Sequence, residues 1–500
     1  MSDETPATYP NGMGGRKVND RPQPDSVWRG IADDGPLGDT GLDMPGDLPA
    51  EWRDELEDLL DVWAAHLSGN RTRYAYYDGR NRLKDFGIST PPELLDVETV
   101  VGWPNKAVMS LAERSRFDGF TAGDALVQGR LDALARRSRL AVKYRQTIES
   151  VGIYGCSFAT VGLTPDGARI DMHDAEHAAA RWDDARGRVA YGMTLDFDRD
   201  GRVETATLYD DEANVTLRYD RGRCLEWEAV PHAMGRCLME AFAYRPTERR
   251  PLGQSRITRA VMSITDSAVR VALGGDISFQ FAVSPQKYLL GADRDALDGK
   301  TKWEAYIGNI FGTTYNGADG VMPQYGQLPQ ASMQQTVEYM RLLATRFSGE
   351  TNVPVAQLGV IHDNPSSAEA IYAASEPLII ECQDMNDHSR EALRQLADMA
   401  LAAERDVPVD RLPPEWQDHV ANFVNPAMPS VVSQADAAVK IAAAVPGFAG
   451  TPSFWKMVGM PEDARREVEQ EVGRANASAM LAQIFGGAKG RPDEGVSEDG

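Results

Sequence analysis

Three places in this 500-residue sequence gather side chains whose types could do chemistry. Asp196, Asp198 and Asp200 alternate ahead of Gly201, the opening of an EF-hand calcium loop, where carboxylates surround the ion and a bidentate glutamate at the twelfth position closes the shell. Here that position is Thr207, the flanks read as strands, and Asp-Gly is an ordinary hairpin signal, so a turn is favoured over a metal site. His173-Asp174-Ala175-Glu176-His177 spaces two imidazoles as a helical metal site would. Yet Ala168–Met172 before it alternates like a strand, and no third ligand is identifiable. Gly291…Gly299-Lys300-Thr301 resembles a P-loop, but seven residues separate the glycines where four would let backbone N–H groups curl around phosphate. No Gly-x-Ser-x-Gly elbow or assembled Cys/His pair is present, and Glu55, Glu57, Asp58 and Asp61 fit a solvated helix face. The sequence therefore assigns no catalytic residue, no metal ligand and no cofactor.

The elements around these motifs define an α+β protein. Residues 1–46 are rich in Gly, Pro and Asp without hydrophobic period and read as a disordered arm, as does 487–500. A first helix from Pro49 carries Trp52, Leu56, Leu59, Leu60, Trp63 and Leu67 on one stripe. Helices follow over about 105–114 and, as one run, from Asp124 through Ser150. Beyond Gly155 the period changes to two, with strands at Met193, Val203 and Asn214 and turns at Asp198–Gly201 and Asp220–Gly222. The second half returns to helices. Ser255 opens one with Ile257, Val261, Ile264, Ala268 and Val271 at four-three spacing, and Met333, Val337, Met340, Leu343 and Phe347 mark another. Between them, 279–329 is a compact segment with a strand-like Lys287–Leu290.

Next comes the most informative stretch, Phe347 to Arg405. A loop bracketed by Pro354 and Pro365 leads to Ser366 and Glu369, spaced as a capping box, and then to a helical pattern reaching Arg405 with only Pro377 against it. At ~1.5 Å per residue this helix is roughly 55 Å long, too long to be buried inside one compact domain. A strand near His419–Val424 and alanine-rich helices to Phe485 complete the chain.

Composition narrows the function. A net charge of −23 argues against general adhesion to nucleic acid or anionic membrane, which rests on Lys and Arg neutralising phosphate. No apolar run reaches the ~18–20 residues of a membrane helix, and Met1–Pro6 lacks the features of a signal peptide. The four cysteines form no C-x-x-C pair, which favours reduced thiols made in a cytoplasm.

Six stretches together resemble the portal (head–tail connector) proteins of tailed double-stranded-DNA bacteriophages, those of long-tailed phages of actinobacteria above all. They are Tyr76–Gly79, Leu83–Ile88, Val101–Pro104, Phe117–Phe120, Pro251–Gly253 with Ser255–Ile257, and Asn364–Ile371. The resemblance covers about residues 50–485. It implies a wing at 47–254, stem helices at 255–278 and 331–352 with a clip at 279–330 between them, and a tunnel loop at 353–366. It further implies a long kinked helix at 367–406, a wing return segment at 407–430 and a crown at 431–486. A homo-oligomeric dodecameric ring at one capsid vertex of the virion is implied, made in the host cytoplasm. Its implied partners are the major capsid protein and scaffold, the terminase large subunit, a head–tail adaptor and the packaged and ejected double-stranded DNA, with no membrane.

Under that resemblance Val355, Gln357, Leu358, Val360, Ile361, His362 and Asn364 would face DNA without reading sequence, since the loop holds no Lys or Arg. The same Leu358, Val360 and Ile361 also suit a buried interdomain turn. Pro377 lacks an N–H and should kink the long helix; alternatively it separates two helices. Two other function classes stay open: an enzyme, such as a hydrolase or metal-dependent enzyme with a site dispersed over loops, and a generic oligomeric scaffold.

Overall fold

The leucine stripe after Pro49 becomes helix α1 (Ala50–Tyr77), which buries Leu56, Leu59, Leu60, Trp63, Ala64 and Leu67 along one side. That side covers a five-stranded antiparallel sheet in the order β4-β5-β6-β7-β8, formed by Ala178–Asp183, Arg188–Phe197, Val203–Tyr209, Ala213–Asp220 and Arg223–Pro231. Strand β7 shows the physical reason for its period of two: Ala213, Val215, Leu217 and Tyr219 face the helix while their neighbours face out. The Trp63 indole N–H donates to the Glu176 carbonyl at 2.8 Å, fixing the helix on the sheet.

The computed structural model describes residues 41–81, 99–283, 287–290, 324–327, 333–359, 368–427 and 431–458, with 467, 468, 470, 471 and 474. They fall into two compact units, one ending at Pro426 and the other beginning at Ala427. Among the described residues no helix is long and apolar enough to cross a membrane.

A second core of the first unit joins α2 (Trp103–Ala112), α3 (Ala125–Arg137) and α4 (Leu140–Tyr154) to a three-stranded sheet. Its order is β3-β2-β9, from Gly167–Asp174, Cys156–Thr164 and Met239–Ala243. Val127, Leu131, Leu140, Tyr144 and Val151 are fully buried there, each large apolar side chain contributing about 1.5–3 kcal/mol. The single helix expected from Asp124 to Ser150 is instead two. Ser138 turns its hydroxyl to the Ile170 N–H at 2.9 Å, and Arg139 adopts a left-handed φ of 52°, ending α3 and starting α4. Neither residue is a helix breaker by type, so the apolar period ran through the corner.

Two long helices form a third core. Helix α5 (Arg259–Val283) lies against α6 (Gln334–Thr351), with Ile257, Val261, Ile264, Ala268, Leu343 and Phe347 inside. The helix starts at Arg259 rather than Ser255 because Ser255 is spent on other bonds: its hydroxyl donates to the Ile153 carbonyl and accepts from Ile257 N–H. Thr258 caps the helix instead, its hydroxyl accepting from Val261 N–H at 3.2 Å. Strands β10 (Lys287–Leu290) and β11 (Gln324–Gln327) pair with each other; the Gly291–Thr301 motif lies outside the described residues.

Helix α7 (Ala368–Arg405) runs without interruption through Pro377. After a short helix α8 (Pro414–Gln417), β12 (His419–Phe423) returns to pair antiparallel with β1 (Phe117–Ala122), setting Ala122 beside His419. The second unit contains α9 (Val431–Ala444) and α10 (Pro452–Val458), joined by a turn in which the Phe448 and Phe454 rings meet edge-on at 5.9 Å.

The arm predicted at 1–46 is shorter at its end than expected. Leu42 and Met44 pack on the α1 core and Asp43 N–H donates to the Gly222 carbonyl at 2.7 Å. Of its residues, those before Gly41 lie outside the described set.

Gly155 closes α4 at φ 105°, and a Cβ there would lie 2.7 Å from the Gln254 carbonyl carbon and 2.8 Å from the Ser255 nitrogen. Gly155→Ala combines a left-handed conformation with a backbone collision, so it should destabilise the protein by about 1–3 kcal/mol or more. Urea unfolding measures this. A loss below about 0.5 kcal/mol would mean that the 155/254 crossing is free to open.

Candidate functional site

Two of the three chemical motifs lie on described residues, and each is engaged in local structure. Asp198 makes a hairpin turn, its carboxylate accepting from Asp200 N–H at 2.8 Å and Arg202 N–H at 2.9 Å, with Gly201 at φ 76°. His173 ends up on β3, its Nε2 3.0 Å from the Thr160 hydroxyl, while His177 sits beyond the strand, its Nδ1 2.7 Å from the Asp174 carboxylate. The two imidazoles serve separate partners.

What the fold builds instead is a buried polar junction at the base of the α5–α6 pair. Arg256 and Glu381 form an ion pair there, with side chains 2% and 5% exposed. The guanidinium also donates to the Ala107 carbonyl of α2 at 2.7 Å, to the Tyr244 hydroxyl at 2.9 Å, and to the carbonyl of Thr351, the last residue of α6. That carbonyl is one of the unpaired acceptors at a helix C-terminus, where positive charge is favoured. Glu381 in turn accepts from the Tyr244 hydroxyl and, at 3.0 Å, from the side-chain amide of Asn352. Asn352 caps α6 with a left-handed φ of 55°. Burial pushes the Tyr244 phenol up to about 12, against the lowering pull of Arg256, so it remains a hydrogen-bond donor at neutral pH.

This junction sets the starting direction of the loop between α6 and α7. Val353 is fully buried, and Val355–Leu358 form one 3₁₀ turn. Leu358 is 7% exposed, and its carbonyl accepts from the Trp103 indole at 3.3 Å; the Trp103 and Phe347 rings lie 5.4 Å apart. Thus Leu358, expected on a DNA-facing surface, is a core residue that anchors the loop. Its apolar side chain gains more from Trp103 and Phe347 than it would from water. Val355 is half-buried against the same core and Gln357 is exposed. Val360, Ile361, His362, Asn364 and Ser366 lie outside the described residues, as does the Glu369 side chain, and with them the capping box.

Arg256, Glu381, Tyr244 and Asn352 were not singled out as a unit from sequence. One signal was present: Glu381 interrupts the apolar run Leu378-Ile379-Ile380 and Cys382, where a charge inside a buried stripe requires a partner. Three of the stretches that carry the family resemblance meet here. Tyr76 donates to Asp266 of α5 at 2.9 Å, Trp103 holds the loop, and Ser255–Ile257 contain the arginine.

Removing one member of the pair strands the other. Glu381→Leu should cost about 3–5 kcal/mol in urea unfolding, whereas Glu381→Leu combined with Arg256→Met should cost less than the single change. A single-variant cost below about 1 kcal/mol would show that the junction does not hold the helices.

Glu176, from the histidine motif, is 4% exposed, and burial followed by the nearby Asp174 charge raises its carboxyl to about 7. Its folded pKa thus lies above the unfolded value, so its stabilising contribution is full below about pH 4.5 and is lost as the pH rises through 7. Glu176→Gln stays neutral. It should therefore match the parent near pH 4.5 and exceed it at pH 8 by on the order of 2–3 kcal/mol in urea titrations. Equal pH profiles would refute the assignment.

No family model matches the sequence. Two curated relatives, the portal proteins of Mycobacterium phage D29 and Mycobacterium phage L5, are each 26% identical over 413 residues, 79% of this chain and 82% of theirs. Among solved structures, the virion of a native gene transfer agent particle matches with 12% identity and a TM-score of 0.41, covering 72% of this chain and 90% of that one. The neck of a native particle of the same kind, computed with C12 symmetry, matches with 11% identity and a TM-score of 0.38, covering 78% and 99%. The resemblance to portal proteins of actinobacterial phages, first carried by a handful of short stretches, is found across 79% of the chain.

Proposed function

We propose that this protein is a phage portal that joins head to tail, a ring of identical copies around a channel for genomic DNA. The similarity over 413 residues to two mycobacteriophage portal proteins carries this reading. On it, the subunit is one of twelve at a single capsid vertex of the virion, the terminase motor drives DNA through it, and the chain itself catalyses nothing. The α+β body around α1 would be the wing, α5 and α6 the stem, the segment between them the clip, and the second unit the crown.

The physical features that support the reading concern what one chain leaves bare. Val337, Tyr339 and Leu342 on α6 and Phe279 on α5 are 48–60% exposed, and apolar helix faces of this kind are covered when copies meet around a closed axis. Pro377, inside the continuous α7 one turn before Glu381, has no N–H to give, a position for a kink that would turn the helix from the channel wall outward. In the loop, the DNA-facing part begins after the Leu358 anchor, with Val360, Ile361, His362 and Asn364; none is a fixed cation, and such a surface leaves a duplex free to slide.

Sedimentation and negative-stain images of the purified chain should show rings with a central hole. Replacing residues 360–364 by a Gly/Ser linker, with Leu358 retained, should leave rings intact while DNA packaging or retention fails. A parent chain that stays monomeric at tens of micromolar would overturn the portal reading, and a linker variant that packages normally would remove the loop from it.

A further inference from the structure

Two helical stretches of this acidic chain carry mirror-image charge. Residues 51–61 of α1 contain six acidic side chains and one basic one; residues 130–145, across the α3–α4 corner, contain six basic and one acidic. Part of each set is neutralised internally. Arg130 and Arg137 pair with Glu404, Lys143 pairs with Asp171, and Asp58 pairs with Arg181. What remains is exposed and, among the described residues, has no ion pair within the chain: Arg136, Arg139 and Arg145 on the corner, Glu51, Asp54, Glu57 and Asp61 on α1.

Placement keeps these remainders apart. The corner is fixed at Ile170, near the start of β3, by Ser138, whereas α1 is fixed at Glu176, beyond the far end of that strand, by Trp63. About 13 Å of extended strand lies between the two attachments, and residues 51–61 extend from Trp63 toward the start of α1. Among the described residues no ion pair joins the two patches within one chain; their charged partners are Glu404, Asp171 and Arg181. The corner also exposes Val142 at 62% between Arg139 and Arg145, an apolar centre with a charged border.

From this complementarity we propose that the basic α3–α4 corner of one copy docks on the acidic first three turns of α1 in the next. This deepens the ring reading and rests on it. Two different patches on one subunit, each fitting the other, make a head-to-tail contact, and a head-to-tail contact that closes generates a ring. A self-paired contact would bring like charges together. The net charge of −23 favours a copy of this chain over nucleic acid as occupant: a duplex approaching the corner would meet an otherwise repulsive protein.

The full-length chain with Arg136→Glu, Arg139→Glu and Arg145→Glu tests the contact by sedimentation against the parent. These side chains are exposed, so the fold should persist by circular dichroism while the apparent association constant falls about a hundredfold or more. Adding Glu51→Arg, Asp54→Arg and Glu57→Arg should restore assembly, and parent rings should weaken as salt rises. Parent rings matched by equally stable rings of the triple variant would overturn the contact and leave the ring reading standing. A parent with no rings would remove both. Intact variant rings that have lost affinity for a linear duplex would overturn the proposal in favour of a nucleic-acid surface. If the triple variant fails to fold, Arg136→Gln, Arg139→Gln and Arg145→Gln replace it; full assembly of that variant counts against the contact.

Discussion

The buried Arg256–Glu381 pair is the constraint to which the rest of the first unit is fitted. One guanidinium joins the α2 backbone, the Tyr244 hydroxyl after β9, the end of α6 and the middle of α7. A charge taken this far from water is tolerable only when its donors are met, and here each direction of the fork has an acceptor. Such a pair is weak evidence of stability but a strict demand on geometry. A shift of any of these elements by an ångström or two leaves a buried charge without its partner, whereas an apolar contact would slide. The junction therefore fixes the angle at which both helices leave the body.

Burial along α7 changes with distance from that junction. Toward its end, Leu393, Leu396, Ala397, Met399, Ala400, Leu401 and Ala402 are buried on nearly every side against the three-stranded sheet and its neighbours. Toward its start, Ile371 and Tyr372 are 59% and 53% exposed, and Ile380 is 52% exposed. A helix hydrophobic all round belongs inside something, and among the described residues the first turns of α7 leave Ile371 and Tyr372 exposed. The same holds for the outer faces of α5 and α6.

Much of this was legible from residue order because period and burial coincide. The α1 stripe, the strand alternation after Gly155, the α5 and α6 faces and the Asp198 turn all follow from local pattern and turn chemistry. The sequence failed where a tertiary contact overrode local preference. Ser138 and Arg139 end a helix because β3 offers a backbone N–H to the hydroxyl, and Ser255 gives up helix capping for the Ile153 carbonyl. The resemblance set Leu358 toward DNA while its apolar type also suited a buried turn; Trp103, from a segment more than two hundred residues earlier, shares its core and holds its carbonyl. The buried ion pair spans helices distant in sequence, and no spacing rule links its two halves.

The pairing of β1 with β12 has a consequence for how the chain is made. Phe117 and Phe423 face each other across the ladder, so two strands about three hundred residues apart must meet before the second core is closed. Contacts of such separation are formed late, since the entropy of closing the intervening loop must be met first. A nascent chain emerging from the ribosome thus holds α3, α4 and the three-stranded sheet in an unfinished state until residue 423 has been synthesised. Closure of this core waits on β12, and a product truncated before residue 419 lacks the strand that completes it.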